Sequence, residues 1–263
     1  MFPRWLWDYI RATTGDGGYA EFRGWRYDVV GPRYSARPSV SDVTSPCPTK
    51  RDVWLRRIAR VRADGEALVL GRAVHEVFLY PFRIGAEDLH ALARGFDRVM
   101  RGLDPRVRAY RKQLYDIYRK AVVLAMMARE DGVPVSVEPS IPGAAIGLSD
   151  TLRPDLLVGF IPVDIALTSP SIRNCERKEL ALTGYALAIE AWTGHPVDFG
   201  VVLYISLNGY VRFSWRVVRI DDTLRRRFID LRDTVARILE NSEEPEIADS
   251  CPTSCPFREV CRV

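Results

Sequence analysis

Asn208-Gly209 stands between two apolar, alternating runs at 197–207 and 210–220. Asn-Gly favours the tight turn whose twist suits two antiparallel strands, so the stretch is predicted to be a hairpin. What precedes it narrows the fold further. The spacing predicts a helix over 174–192 that Gly194 ends. Two short strands are expected at 154–159 and 161–167, meeting near Gly159, and a proline-bounded strand at 133–141. Upstream, helical periods cover 49–64, 66–80, 86–102 and 105–131, and Asp221-Asp222 caps a basic helix over 221–240. Residues 1–46 show no clear period. Helices, then three strands, a helix, two strands and a last helix describe an α/β fold with a helical insertion on its N-terminal side. The expected division is an N-terminal extension (1–46), a helical region (47–131), an α/β core (132–240) and a cysteine-rich tail (241–263).

The chain has 263 residues, enough for one large domain or one domain with an appendage at about 150 residues per domain. At 47% apolar and 27% charged residues it is neither collagen-like, disordered nor disulfide-dense. No apolar run approaches the roughly 18 residues that cross a bilayer, and the N-terminus lacks the apolar core of a signal peptide. A cytoplasmic protein without a membrane partner is expected. The net charge of +4 is modest. The basic residues are nearly all arginine, the lysines being Lys50, Lys112, Lys120 and Lys178 alone. This bias fits a thermophile or a GC-rich genome, and guanidinium forks also suit the phosphates of DNA.

Five cysteines are present: Cys47, Cys175, Cys251, Cys255 and Cys261. The last three form C-x3-C-x5-C in a segment with little apolar material to fix its backbone. A metal or cluster would fix it, since thiolate is the soft ligand of iron–sulfur clusters and zinc. Cys47 is the better fourth ligand, because Ser-Pro-Cys-Pro is a proline-flanked turn like Cys251-Pro252 and Cys255-Pro256. Cys175 opens a helix and reads as a core or cap residue. From spacing alone, zinc and disulfides stay open beside the cluster.

Asp155 begins one apolar strand and Asp164 lies inside the next. A carboxylate among apolar strand residues is destabilising unless it meets a cation or a partner. Two on adjoining strands could share a face and offer hard oxygens to Mg²⁺ or Mn²⁺. His75, on a helix otherwise turned to the core, would add an imidazole and favour Mn²⁺. Taken singly, each of these is as easily a satisfied histidine or an edge aspartate.

Together the pieces resemble the CRISPR-associated iron–sulfur exonucleases of the RecB-like branch of the PD-(D/E)XK superfamily, in particular the archaeal type I-A adaptation variant. Gly71-Arg72-Ala73-Val74-His75-Glu76 resembles the family's metal-histidine motif. Arg153-Pro154-Asp155-Leu156 resembles its first aspartate motif, and Gly184-Tyr185-Ala186-Leu187 its tyrosine helix. The split cysteine set is similar too. Two positions depart. The acid-x-Lys strand reads Asp164-Ile165-Ala166, and the glutamine of Q-x-x-x-Y is Ala181.

The resemblance implies a restriction-endonuclease-like core with a mixed sheet and a metal-dependent exonuclease that trims single-stranded DNA ends in spacer acquisition. Asp155, Asp164, His75 and the carbonyl of Ile165 would hold Mn²⁺ or Mg²⁺. Tyr185 would contact DNA or the metal shell. Lys178, seven residues and nearly two helical turns before Tyr185, would replace the strand lysine. Cys47, Cys251, Cys255 and Cys261 would hold an iron–sulfur cluster, 4Fe–4S favoured over 2Fe–2S. Glu138 is a further, weaker candidate near the metal shell. Arg56, Arg57, Arg60 and Arg225 to Arg227 are expected to line a DNA channel, with Trp54 as a stacking surface. CRISPR integrase proteins are the expected partners, and a homo-oligomer stays open. The alternatives are a catalytically weak member that scaffolds the integrase, or a zinc-stapled DNA-binding protein.

Overall fold

A computed structural model describes residues 20–85, 89–168, 175–249, 251 and 255–261. Two single-turn helices lie where no period is evident, α1 (Tyr27–Val30) and α2 (Val40–Val43). In α2 the Ser39 hydroxyl accepts from the Asp42 N–H and the Asp42 carboxylate accepts from the Ser39 N–H, a reciprocal cap that needs no periodicity. The helix expected over 49–64 is only α3 (Arg51–Arg57). Its last turn closes on the Trp54 carbonyl, and Arg60 turns left-handed at φ 59°. Val61 and Ala63 then pack on the tail beside Phe257, a tertiary gain that outweighs helical propensity.

The long helices follow the predicted order: α4 (Glu66–Ile84), α5 (Leu89–Gly102), α6 (Arg111–Glu130), α7 (Cys175–Thr193) and α8 (Asp222–Asn241). Residues 105–110 form a 3₁₀ turn ahead of α6, opened by Pro105 and capped by Asp104. A last turn, α9, covers Arg258–Cys261.

Five strands make one sheet in sequence order: β1 (Val135–Val137), β2 (Leu156–Val158), β3 (Ile161–Thr168), β4 (Phe199–Ser206) and β5 (Arg212–Arg219). All neighbours are antiparallel except β3 and β4, which run parallel because α7 carries the chain back between them. The mixed-sheet α/β architecture is as expected. β1 is shorter than 133–141 because Glu138 turns left-handed at φ 44°.

Strand alternation divides the interior. Val163, Ile165, Val201 and Leu203 face the α4–α6 side, while Ala166 and Val202 face α7 and α8. Gly184 lets α7 approach α8: a Cβ there would lie 2.4 Å from the Phe228 ring.

A buried ion network ties the N-terminal segment to this core. The Glu190 carboxylate of α7, 0% exposed, accepts from Arg23, Gly24, Val197 and Arg225. Arg225 is itself 0% exposed, so it lines no channel, contrary to expectation. Among the described residues no helix is long and apolar enough to cross a membrane.

Breaking one partner of a buried pair leaves an uncompensated charge. Arg225→Met is therefore expected to destabilise the protein by about 3–5 kcal/mol in urea unfolding. A loss under about 1 kcal/mol would show that the network is solvated.

Candidate active site

β2 and β3 are joined by a tight turn at Gly159, whose φ of 59° suits glycine. Leu156 pairs with Val163, so Asp155, just before the first, and Asp164, just after the second, come next along the hairpin. Asp164 is on the β3 face turned to α7, and only 8% exposed. Asp155 is engaged at both oxygens. His75 Nδ1 lies 3.1 Å from Oδ1, and the Ile165 N–H donates to Oδ2 at 2.6 Å. An ionised carboxylate only accepts, so Nδ1 carries the proton and the Nε2 lone pair of a neutral His75 stays available.

Lys178, in the first turns of α7, supplies the cation. Its ammonium forms an ion pair with Asp164 Oδ2 and donates to the Ile165 carbonyl at 3.0 Å. No hydrogen bond of good geometry completes that buried Oδ2. The Tyr185 hydroxyl donates to the Arg153 carbonyl at 3.1 Å, holding the strand that leads into Asp155. The structure thus brings His75, Asp155, Asp164, Ile165, Lys178 and Tyr185 together.

Burial and charge set the protonation preferences. Burial pushes Asp164 upward and Asp155 adds to this, while Lys178 opposes it. Burial acts on Asp155 as well, yet the hydrogen bond and charge of His75, with the Ile165 N–H, hold it below the ordinary range. Burial acts against charged His75, but the Asp155 hydrogen bond and charge raise its pKa above 6.5. The Tyr185 phenol is pushed up by burial and then by the two aspartates, which keeps it a neutral donor.

Glu138 sits one step away. Its N–H donates to the Asp155 carbonyl, and its carboxylate pairs with Arg83, which also holds Glu76 at 2.6 Å. The Arg83 bridge and the Arg153 carbonyl had no signal in the sequence, because both depend on which strand and helix meet.

Among the described residues no three His, Cys, Asp or Glu side chains stand as a ready metal-holding group. The donor set nevertheless suits a hard divalent ion: an imidazole nitrogen, two carboxylates and a carbonyl, with a buried carboxylate oxygen short of hydrogen bonds. These donors are gathered around the Lys178 ammonium, whose charge acts on His75, Asp155 and Asp164 alike.

Three of the cysteines lie in the tail, Cys47 lies before α3 and Cys175 opens α7. Cys261 is buried in a small cluster with Leu55 and Phe257, and Cys255 packs on it. Burial raises the Cys255 thiol, and Cys251, Asp52 and Cys261 raise it further, so the tail thiols and α3 share one neighbourhood. Cys47 is four residues before α3; its carbonyl accepts from the Lys50 N–H, and its thiol lies 3.4 Å from the Thr49 hydroxyl. Cys175 is elsewhere, beside Tyr204 on β4. All five are free thiols. Thiols gathered in a tail with so small an apolar cluster suit a thiolate-bound group by their donor chemistry.

The other arginines expected along a channel, Arg56, Arg57, Arg60, Arg226 and Arg227, are exposed. Arg56 and Arg57 pair with Asp42, and Arg227 with Glu176. Arg226 lies over the Phe22 ring. Trp54 donates to the Ser242 carbonyl at 3.3 Å and is half-buried rather than an open stacking face.

Comparison with known proteins supplies independent findings. A family model described as CRISPR-associated exonuclease Csa1 matches residues 1–263. The chain is 28% identical to a CRISPR-associated exonuclease Csa1 of Thermoproteus tenax, over 92% of this chain and 91% of that one. It is also 28% identical to the protein of the same name from Saccharolobus solfataricus, with the same coverage. A crystal structure of an alkaline exonuclease from Laribacter hongkongensis aligns with 83% of this chain and 92% of its own, at 16% identity and a TM-score of 0.38.

The His75–Asp155 bond carries a pH dependence. A histidine whose folded pKa is raised stabilises the fold fully below its unfolded value of about 6.5, and the contribution is lost as pH rises through the higher folded value. Asp155→Asn should lower the His75 pKa and remove this component. Ring-proton NMR in EDTA reads it directly, since only His75, His90 and His195 are present. An unchanged His75 titration would mean that the pair does not form in solution.

Proposed function

The chain belongs to the CRISPR-associated exonuclease Csa1 family, and from that premise we propose that it is a metal-dependent exonuclease trimming single-stranded DNA ends in CRISPR spacer acquisition, alongside integrase proteins. One observation carries the reading: a buried and a half-buried aspartate, a histidine and a strand carbonyl gathered about a lysine ammonium. A structural residue pair would need no such surplus of oxygen donors.

Asp155, Asp164, His75 and the Ile165 carbonyl would hold Mn²⁺ or Mg²⁺, with His75 taking the ion in place of its hydrogen bond to Asp155. When bound, such an ion polarises the phosphoryl oxygen and lowers the pKa of its water. Before the ion binds, Asp155 holds the His75 ring in the site by accepting from Nδ1. Lys178 provides the positive charge that Ala166 does not, and the ammonium can hydrogen-bond a phosphate oxygen where charge grows. Its stem spans from helix to strand, so the same charge reaches the site from the opposite wall. Tyr185 keeps the segment before Asp155 in register through the Arg153 carbonyl.

Cys47, Cys251, Cys255 and Cys261 would hold an iron–sulfur cluster, for which 4Fe–4S is favoured. It would serve as a structural clasp between the turn before α3 and the tail. Leu55, Phe257 and Cys261 bury too little apolar surface to fix that contact alone.

Asp164→Ala should reduce Mn²⁺-dependent release of nucleotides from single-stranded DNA at least about a hundredfold, with the urea midpoint recorded to separate chemistry from folding. A wild-type protein that binds DNA and cleaves none with any divalent ion would favour the scaffold alternative.

Cys47→Ala, Cys251→Ala, Cys255→Ala and Cys261→Ala should each lose iron, visible absorbance and thermal stability in anaerobically purified protein. Cys175→Ala should keep all three. Iron lost from the Cys175 variant and retained in the Cys47 variant would reverse the assignment, and a colourless, zinc-loaded protein would replace the cluster with zinc.

A further inference from the structure

Lys178 is placed where two requirements collide. Its ammonium is bound by the Asp164 carboxylate and the Ile165 carbonyl. Those are two of the oxygens that a divalent ion at the proposed centre needs. One buried carboxylate oxygen and one carbonyl cannot face an ammonium and a divalent ion from the same side. Two like charges so close would also repel strongly.

We infer that Lys178 is an internal counter-ion that competes with the divalent metal for Asp164 and the Ile165 carbonyl, and that metal binding releases its ammonium toward the DNA phosphate. This rests on the metal-dependent reading above and adds an order of events to it: the lysine leaves the oxygens before it serves the substrate. The rest of the site agrees. Lys178 belongs to α7 while its partners belong to β3, so the ammonium can withdraw without moving the strand. A lysine stem has four rotatable carbons and a compact charged tip, which suits such a swing. Asp164 is buried on a strand that is apolar on both sides, and without an ammonium or a metal it would be an uncompensated charge. The exchange keeps Asp164 neutralised throughout.

Competition reduces apparent metal affinity by the fraction of time the oxygens are free. An ammonium in place about nine-tenths of the time weakens metal binding about tenfold. Calorimetric titration of Mn²⁺ into the full chain should therefore give a dissociation constant about tenfold lower for Lys178→Met than for wild type. Relief of charge repulsion alone could also tighten binding, so a second measurement is needed, and it uses only the wild-type protein. Acetylation by an amine-reactive ester, followed by peptide mass spectrometry, reports four lysines. Saturating Mn²⁺ should raise labelling of Lys178 severalfold. Lys50, buried and bound to the Val43 and Ser45 carbonyls, should not change. Asp164→Asn should abolish the Mn²⁺ response.

Mn²⁺ binding with unchanged or reduced Lys178 labelling would overturn the competition and leave the metal site standing, even if Lys178→Met binds more tightly. No Mn²⁺ binding to either protein would overturn both readings.

Discussion

A carboxylate in the middle of a strand buried on both faces has to be answered by positive charge, and much of this structure is the answer to Asp164. β3 lies between β2 and β4, and its alternate residues serve two separate apolar cores. Its odd positions, Val163 and Ile165, hold the sheet to α4 and α6. Its even positions face α7, and there Asp164 takes a place where an apolar side chain would be the simplest choice. The cation comes from the helix that the parallel crossover lays over that face. Parallel pairing of β3 with β4 is thus a condition of the site, because it is the crossover that puts Lys178 opposite Asp164.

The same helix anchors the fold at its far end. Lys178 stands near the start of α7 and Glu190 near its end, and each is half of a buried ion pair. The two pairs differ in kind. Glu190 is surrounded by guanidinium and amide donors that leave it nothing further to bind. Asp164 has one ammonium, which it shares with the Ile165 carbonyl, and no guanidinium or amide donor among the described residues. A saturated buried charge supports structure, whereas an under-saturated one beside other oxygen donors is suited to an ion. That contrast, within one helix, separates the structural acid from the reactive one.

This chain has alanine at both positions where the pattern it resembles carries the strand lysine and the glutamine. Ala166 is buried against α7, where a lysine stem would have to displace packed side chains. Ala181 is buried on the same face. Small residues at both positions bring α7 close to the sheet, and the short approach lets Lys178 reach the Ile165 carbonyl. The tail makes a similar bargain between local weakness and outside support. Too short to form a core, it leans on Leu55 and the turn that follows α3.

Periodicity in the chain already determined the order of helices and strands, the Asn208-Gly209 hairpin and the two aspartates as neighbours across the Gly159 turn, because these depend on residues close in sequence. Asp155 and Asp164 stood out for the same reason, as acids in apolar strands, with His75 on a helix otherwise turned to the core, whereas Lys178 and Tyr185 entered only through the family resemblance. Tertiary structure alone decided what each group touches. It ended α3 at Arg57 so that Val61 could pack on the tail, it turned Arg225 from an expected DNA contact into the partner of a buried carboxylate, and it set Arg83 between Glu76 and Glu138. An arginine in a basic run looks the same in sequence whether it meets solvent, phosphate or a carboxylate on another element. Only the fold brings the partner, and the buried carboxylate then holds it more strongly than water can.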